Sequence, residues 1–262
     1  MQQFQYIEYT IKDNVATIRL NQPDSLNALS VEMGAELSQA LDDANANARA
    51  LILTSAGRGF CSGANLMTGT INLEDPERDM GTRLESVYNP LLTKIKNSKI
   101  PIITAVRGPA AGIGSSLALI GDIIIAGRSA FFLQAFCNIG LIPDGGAPYL
   151  LSRAIGRVRA MELVLLGERY PAEKAYEDGL VTRLVDDDDV DSVALEIGLK
   201  LAAGPTTALS LIRQATWAAY DSSYEEQIQR ERELQKTAGA TSDFIEGVSA
   251  FREKRKASFT GK

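Results

Sequence analysis

The chain has 262 residues, 45% apolar and 23% charged, with a formal net charge of −6. That is the make-up of a soluble globular protein with one large domain, or one domain and an appendage, and it excludes the basic face a nucleic-acid binder needs. There is no histidine, and Cys61 and Cys137 are the two cysteines, so a Ser-His-Asp triad, a Cys-His dyad and a histidine- or cysteine-built metal site are excluded within one chain, leaving acid–base work to Asp, Glu, Lys, Tyr or Cys.

The first stretch, MQQFQYIEYTIKD, has neither the basic start nor the apolar stretch of a signal peptide. No apolar run approaches the roughly 18–20 residues that cross a bilayer. A cytoplasmic protein with reduced thiols and no membrane partner is expected. Alternating residues around Asp13-Asn14 predict a hairpin with strands at about 4–12 and 15–20. Ser30 precedes VEMGAELSQALDDANA, where Leu37, Ala40 and Leu41 share one face; this predicts a helix with Ser30 as its N-cap. ALILTS is a continuous apolar run and predicts a buried parallel strand, with the glycine-rich AGRGFCSGANL as the following loop.

From Met67 to Pro90 the pattern weakens, and the polar, punctuated GTINLEDPERDMGTR is expected to be a mobile segment over a site. A helix is expected near 84–97, a second buried strand at IPIITAVRG, a loop running into a short helix at PAAGIGSSLALIG, and a third buried strand at DIIIAGR. The stretch NIGLIPDGGAPYL then feeds a helix at about 147–155. Helical spacing continues through segments near 157–166, 171–178, 189–203, 205–221, 223–239 and 241–255, punctuated by Gly167, Gly179, Gly204 and Pro205. The acids Asp186–Asp189 read as a solvated turn with charge favourable to a helix N-terminus. Apolar strands alternating with helices predict an α/β core over residues 1–200, with a helical region over 201–262.

Two glycine-containing loops follow buried strands, GRGFCSGAN and RGPAAGIGSS. Each offers backbone N–H groups that, aimed at one point, would stabilise a developing oxyanion. The second matches neither the spacing of a dinucleotide or phosphate loop nor G-x-S-x-G. The segments IRLNQPDSLNALS, ALILTSAGRGFCSGANL, KIPIITAVRGPAAGIGSSLALIGDIIIAG, NIGLIPDGGAPYLL and GRVRAMELVLLGERYPAEKAYEDGLV, in that order, resemble the enoyl-CoA hydratase/isomerase (crotonase) superfamily over nearly the whole chain. The resemblance implies a crotonase-like spiral of ββα turns, a C-terminal helical region that packs in trimers often paired as hexamers, an acyl-CoA thioester as ligand, and no cofactor beyond the coenzyme A of the substrate.

Carried over residue by residue, the resemblance puts one oxyanion donor at the N–H of Ala64, after Ser62 and Gly63, with Leu66 beside it. The other falls on Ile113, between Gly112 and Gly114. Asn27 and Ala28 match the segment whose backbone lines the coenzyme A site. The two glutamates that activate water in the family's hydratases are absent: their positions hold Ser116 and Phe136. What stands instead is Asp144 in IPDGG, where family isomerases, including those of ring-epoxides of phenylacetyl-CoA, carry a single acid. Phe136, Ile113 and Leu141 would make the pocket apolar, and burial would raise the Asp144 pKa. Taken without its flanking motifs, Pro-Asp-Gly is also a favoured turn sequence. The sequence therefore predicts an acyl-CoA isomerase. Two alternatives stand beside it: a hydratase that draws on another acid such as Glu85, and an acyl-CoA-binding subunit without catalysis. The basic ending REKRKASFTGK is expected as a solvated helix end, with contact to coenzyme A phosphates as the second option.

Overall fold

The computed structural model describes residues 4–65 and 74–262. The hairpin is present, shorter at its start than expected: β1 (Ile7–Lys12) pairs antiparallel with β2 (Val15–Leu20). Its two-residue turn is Asp13 and Asn14, at φ 52° and 62°, the pair of positive angles that matches the right-handed twist of the strands. The strands β3 (Ala50–Ser55) and β4 (Ile102–Val106) extend β2 in parallel.

Helix α1 (Val31–Asn47) connects β2 to β3, and its N-cap is Ser30, whose Oγ accepts the Met33 N–H at 3.1 Å. Ahead of β4 the chain forms one wide π-turn, Leu84–Tyr88, that runs into α2 (Asn89–Lys96). The expected helix near 84–97 is therefore wound in two ways. After β4 the chain enters a second, smaller sheet at β5 (Pro109–Ala111), then forms α3 (Ile113–Leu119). The cycle repeats: β6 (Ile123–Gly127) joins the large sheet, β7 (Phe131–Leu133) the small one, and α4 (Ala147–Leu166) follows. This is the expected spiral of ββα turns, and the α/β class is as expected. Helix α4 breaks at Gly156 (φ 77°, ψ 157°), which accounts for the two helical segments expected there.

The small sheet was not expected. Its strands, β5, β7 and β8 (Arg169–Pro171), are three residues each, as is β9 (Arg183–Val185) at the edge of the large sheet. Three residues are too few for period-two alternation to stand out. The large sheet runs β1-β2-β3-β4-β6-β9. Its inner strands β3, β4 and β6 are largely apolar on both faces because both are covered. Ile18, Leu20, Leu51, Leu53 and Ile102 join the core that includes α1, α2 and α3. Val15, Ala50, Ile52, Ile103 and Ile125 face Val190, Ala194 and Ile197 of α6 (Val190–Ala202), which lies beyond α5 (Ala172–Glu177).

The remaining helices are α7 (Thr206–Ala219), α8 (Tyr224–Gly239) and α9 (Ser242–Glu253). Arg213 of α7, 7% exposed, ties that helix to the core through Asp122 at 2.5 Å and the Ser98 carbonyl. The basic ending is mostly exposed as expected, but only its first two residues, Arg252 and Glu253, finish a helix. Helix α9 stops at Glu253, and the chain beyond Lys254 doubles back along it: Arg255 forks onto both oxygens of Glu246 (2.6 and 2.9 Å), and the N–H groups of Thr260 and Gly261 reach the two oxygens of Asp243 (2.7 and 2.8 Å).

Candidate active site

The two glycine loops expected to carry chemistry meet. Cys61 of the first loop bridges to Ala110 of β5, and the Ala111 N–H donates to the Cys61 carbonyl at 2.9 Å. Glycines permit this approach. Gly112 turns the chain from β5 into α3 at φ 52°, ψ −130°, a conformation that residues with a Cβ avoid. A Cβ on Gly114 would overlap the Cys61 carbonyl, so α3 packs directly on the first loop.

The result is a cavity of about 510 Å³. Ala64 enters its wall from the first loop and Ile113 from the start of α3. Among the described residues neither the Ala64 N–H nor the Ile113 N–H donates to a protein acceptor, so both are available to an oxygen held in the cavity. Two structures brace them. Leu29 and Ala64 form an isolated bridge, and the Tyr88 hydroxyl donates to the Leu29 carbonyl at 3.0 Å. Behind Ile113, Gln134 donates to the Ser115 hydroxyl at 3.0 Å and fixes the first turn of α3.

Asp144 lines the same cavity. It sits in the loop between the 3-10 turn Ala135–Ile139 and α4. Its Oδ1 is buried and has no hydrogen-bond partner. Burial, which disfavours the charged form, pushes its pKa up from 3.8 to about 6. The other acids in the wall, Asp75 and Asp79, each accept a nearby backbone N–H, from Glu77 and Gly81, and act as turn caps. Asp144 is the acid in this wall left with an idle, desolvated oxygen. Such a group can accept a proton and give it back near neutral pH.

Phe136, Leu141, Ser62, Gly63 and Gly112 also line the cavity, as the sequence suggested. Three candidates do not. Gly114 is taken up by its contact with Cys61. Asn27 is fully buried and is a bracket: its side chain donates to the carbonyls of Ala56 (2.9 Å) and Gly59 (2.8 Å) and accepts the Gln22 N–H (2.8 Å). Its neighbour Ala28 donates to the Ser25 carbonyl and stays off the cavity wall. Leu66 lies outside the described residues. Glu85, the alternative acid, is exposed and away from the wall.

Sequence reasoning passed over Tyr88. It lies with Leu91, Leu92 and Ile95 at helical spacing, so periodicity assigns it to the core, yet its π-turn presents it to the cavity. The polar segment expected over a site is represented among the described residues by Asp75 to Leu84, which supply much of one cavity wall. Among the described residues no group of three or more metal-ligating side chains is present, and no helix is long and apolar enough to cross a membrane.

A model of the enoyl-CoA hydratase/isomerase family matches residues 10–262. A 1,2-epoxyphenylacetyl-CoA isomerase of Escherichia coli K12 is 43% identical over 98% of this chain and 99% of its own. A protein of Rhodobacter capsulatus named "Probable enoyl-CoA hydratase" is 41% identical over 98% of both chains. Among solved structures, an enoyl-CoA hydratase from Bacillus anthracis superposes with a TM-score of 0.90 at 31% identity, covering 98% of this chain and 100% of that one.

Proposed function

The chain belongs to the enoyl-CoA hydratase/isomerase family, and from that premise we propose that it isomerises acyl-CoA thioesters, with Asp144 carrying the proton. The observation behind this reading is the buried, unpartnered Oδ1 of Asp144 in the cavity that also receives the free N–H groups of Ala64 and Ile113. The 43% identity to a relative named for isomerisation of an aryl-epoxide thioester supports it.

The thioester oxygen docks against Ala64 and Ile113. With a Δ3-enoyl thioester, the Asp144 carboxylate removes a proton from C2. The electron pair moves onto the thioester oxygen as a dienolate, which the two N–H groups stabilise. The protonated Asp144 then returns the proton at C4, and the pair flows back to leave the double bond between C2 and C3. Nothing is gained or lost, and no water takes part. A ring-epoxide of an arylacetyl thioester has the same acidic carbon next to the carbonyl and belongs to the same substrate class. Ser116 and Phe136, at the positions of the family's water-activating glutamates, supply no base.

The test supplies a Δ3-enoyl-CoA and an arylacetyl-CoA ring-epoxide, and follows the appearance of conjugated or rearranged product. Asp144→Asn should lower turnover by about 10²–10⁴-fold. Crotonyl-CoA is supplied in parallel. Fast hydration that survives Asp144→Asn would overturn the assignment in favour of a hydratase, and thioester binding without turnover of any of the three would make the protein a binding subunit. Self-association belongs to the same proposal. Val158 on α4 and Ile245 and Phe251 on α9 are 74%, 65% and 85% exposed, apolar surface suited to contact with further copies; sedimentation should show a trimer or hexamer.

A further inference from the structure

We propose that Ser116 is a positioning residue: its hydroxyl and its small size hold the Asp144–Gly145 loop so that the Asp144 carboxylate stays in the cavity with no partner of its own. The inference rests on the reading of Asp144 as proton carrier.

Ser116 is fully buried in α3, one turn beyond Ile113, and does not line the cavity. Its Oγ donates to the backbone carbonyl of Asp144 at 3.1 Å. The same carbonyl accepts the Ala147 N–H at 3.0 Å. Asp144 is thus gripped through its backbone from α3 on one side and α4 on the other, and its side chain is left out of the grip. The next residue, Gly145, is buried at φ 60°. A Cβ there would come within 2.9 Å of Ser116 Cβ and Oγ and 3.1 Å of Leu92 Cδ1. The backbone therefore lies flat in a slot between α3 and α2 with no room to spare. A longer side chain at 116 has to push the loop outward. Alanine at 116 would keep the slot but lose the donor.

Two consequences follow from where Ser116 stands. Helix α3 carries Ile113 at its first residue and Ser116 three residues later, so one rigid turn fixes both the oxyanion donor and the acid. Their separation does not depend on the loop's own stiffness. The hydroxyl also spends its hydrogen bond on a carbonyl. A donor on the carboxylate itself would favour the ionised form and weaken it as a base. The other titratable or charged groups around the cavity are Asp75, Arg78, Asp79, Arg83 and Tyr88. Tyr88 is engaged with the Leu29 carbonyl, and the upward shift of Asp144 comes from burial alone. How deeply the loop is seated therefore sets how strong a base Asp144 is.

Ser116→Ala tests this on the intact protein. The expected result is a kcat lower by about three- to tenfold, the worth of one neutral hydrogen bond, with KM unchanged. The midpoint of the pH–rate profile should move down from near 6 toward the ordinary carboxylate range. Titration of the Asp144 carboxyl by carbon NMR, without substrate, should move the same way. Ser116→Glu should abolish isomerisation by displacing the loop. An unchanged kcat and an unmoved midpoint in Ser116→Ala, even with lowered thermal stability, would reduce Ser116 to a packing residue and overturn the proposal. Failure of the underlying function is told apart by Asp144→Asn: wild-type turnover there refutes Asp144 as the proton carrier, while the NMR titration still reports whether Ser116 seats the carboxylate.

Discussion

The loop around Asp144 and the returning tail around Asp243 each take an aspartate out of water. At Asp243, 3% exposed, the chain surrounds the charge with donors: the N–H and hydroxyl of Thr260 at 2.7 and 3.3 Å, and the N–H of Gly261 at 2.8 Å. At Asp144 the chain supplies donors to the backbone carbonyl and leaves Oδ1 bare. Donors that favour the charged form make a carboxylate a fastening, whereas desolvation without donors makes it reactive. Burial alone does not distinguish the acid proposed to carry the proton from the structural one; the partners of the side chain do.

Exchanging the two residues' chemistry should break that contrast most sharply in turnover. Asp144→Asn should cost about 10²–10⁴-fold in kcat, whereas Asp243→Asn should leave kcat per folded molecule near wild type. Stability should invert the order. Asp243→Ala strands three donors and should lower unfolding free energy by about 2–4 kcal/mol in denaturant titration; a loss within error would show the tail to be loosely held. Turnover should also depend on pH through Asp144. Its working form is the carboxylate, so kcat should fall about tenfold per pH unit below 6 and level off above, the pKa being raised to about 6. The smallest effect concerns stability against pH. Below 3.8 Asp144 is neutral both folded and unfolded; between 3.8 and about 6 the folded chain keeps a proton the unfolded chain has lost; above 6 the folded chain holds a desolvated charge. Stability thus declines across that window, and at pH 7 Asp144→Asn should raise the melting temperature by about 2 °C. A lower melting temperature would mean that Asp144 is a fastening after all.

Much of the fold was legible because its period is written in long segments. The runs that became β3, β4 and β6 are mostly apolar, with no two-residue alternation, because both faces of the sheet are covered there. Ser30 marked the start of α1 and does cap it. The small sheet was not legible: three-residue strands beginning at Pro109 and ending at Pro171 look like turns, and their partners lie far along the chain. In the site, Ala64, Ile113 and Asp144 could be named because glycines flank them in a recognisable order, and they do line one cavity. Asn27 does not line this cavity. Its polar amide serves the loop after β3 instead, and nothing local distinguishes those two uses. Tyr88 was hidden by its own periodicity, since a helical stripe reads as core whether or not a cavity opens beside it.

The two cysteines differ in their surroundings, one buried and one exposed, and this makes them chemically unequal. Cys61 is sealed beneath the meeting point of the glycine loops, its thiol pushed up to about 11 by burial. Cys137 is exposed, between Phe136 and Ile139 of the cavity wall. Thiolate character and access together govern alkylation, so a maleimide dye or spin label will mark the folded protein at Cys137. The native chain thus carries a ready attachment point for an optical or magnetic reporter one residue from Phe136 of the cavity wall, one that needs no engineered cysteine.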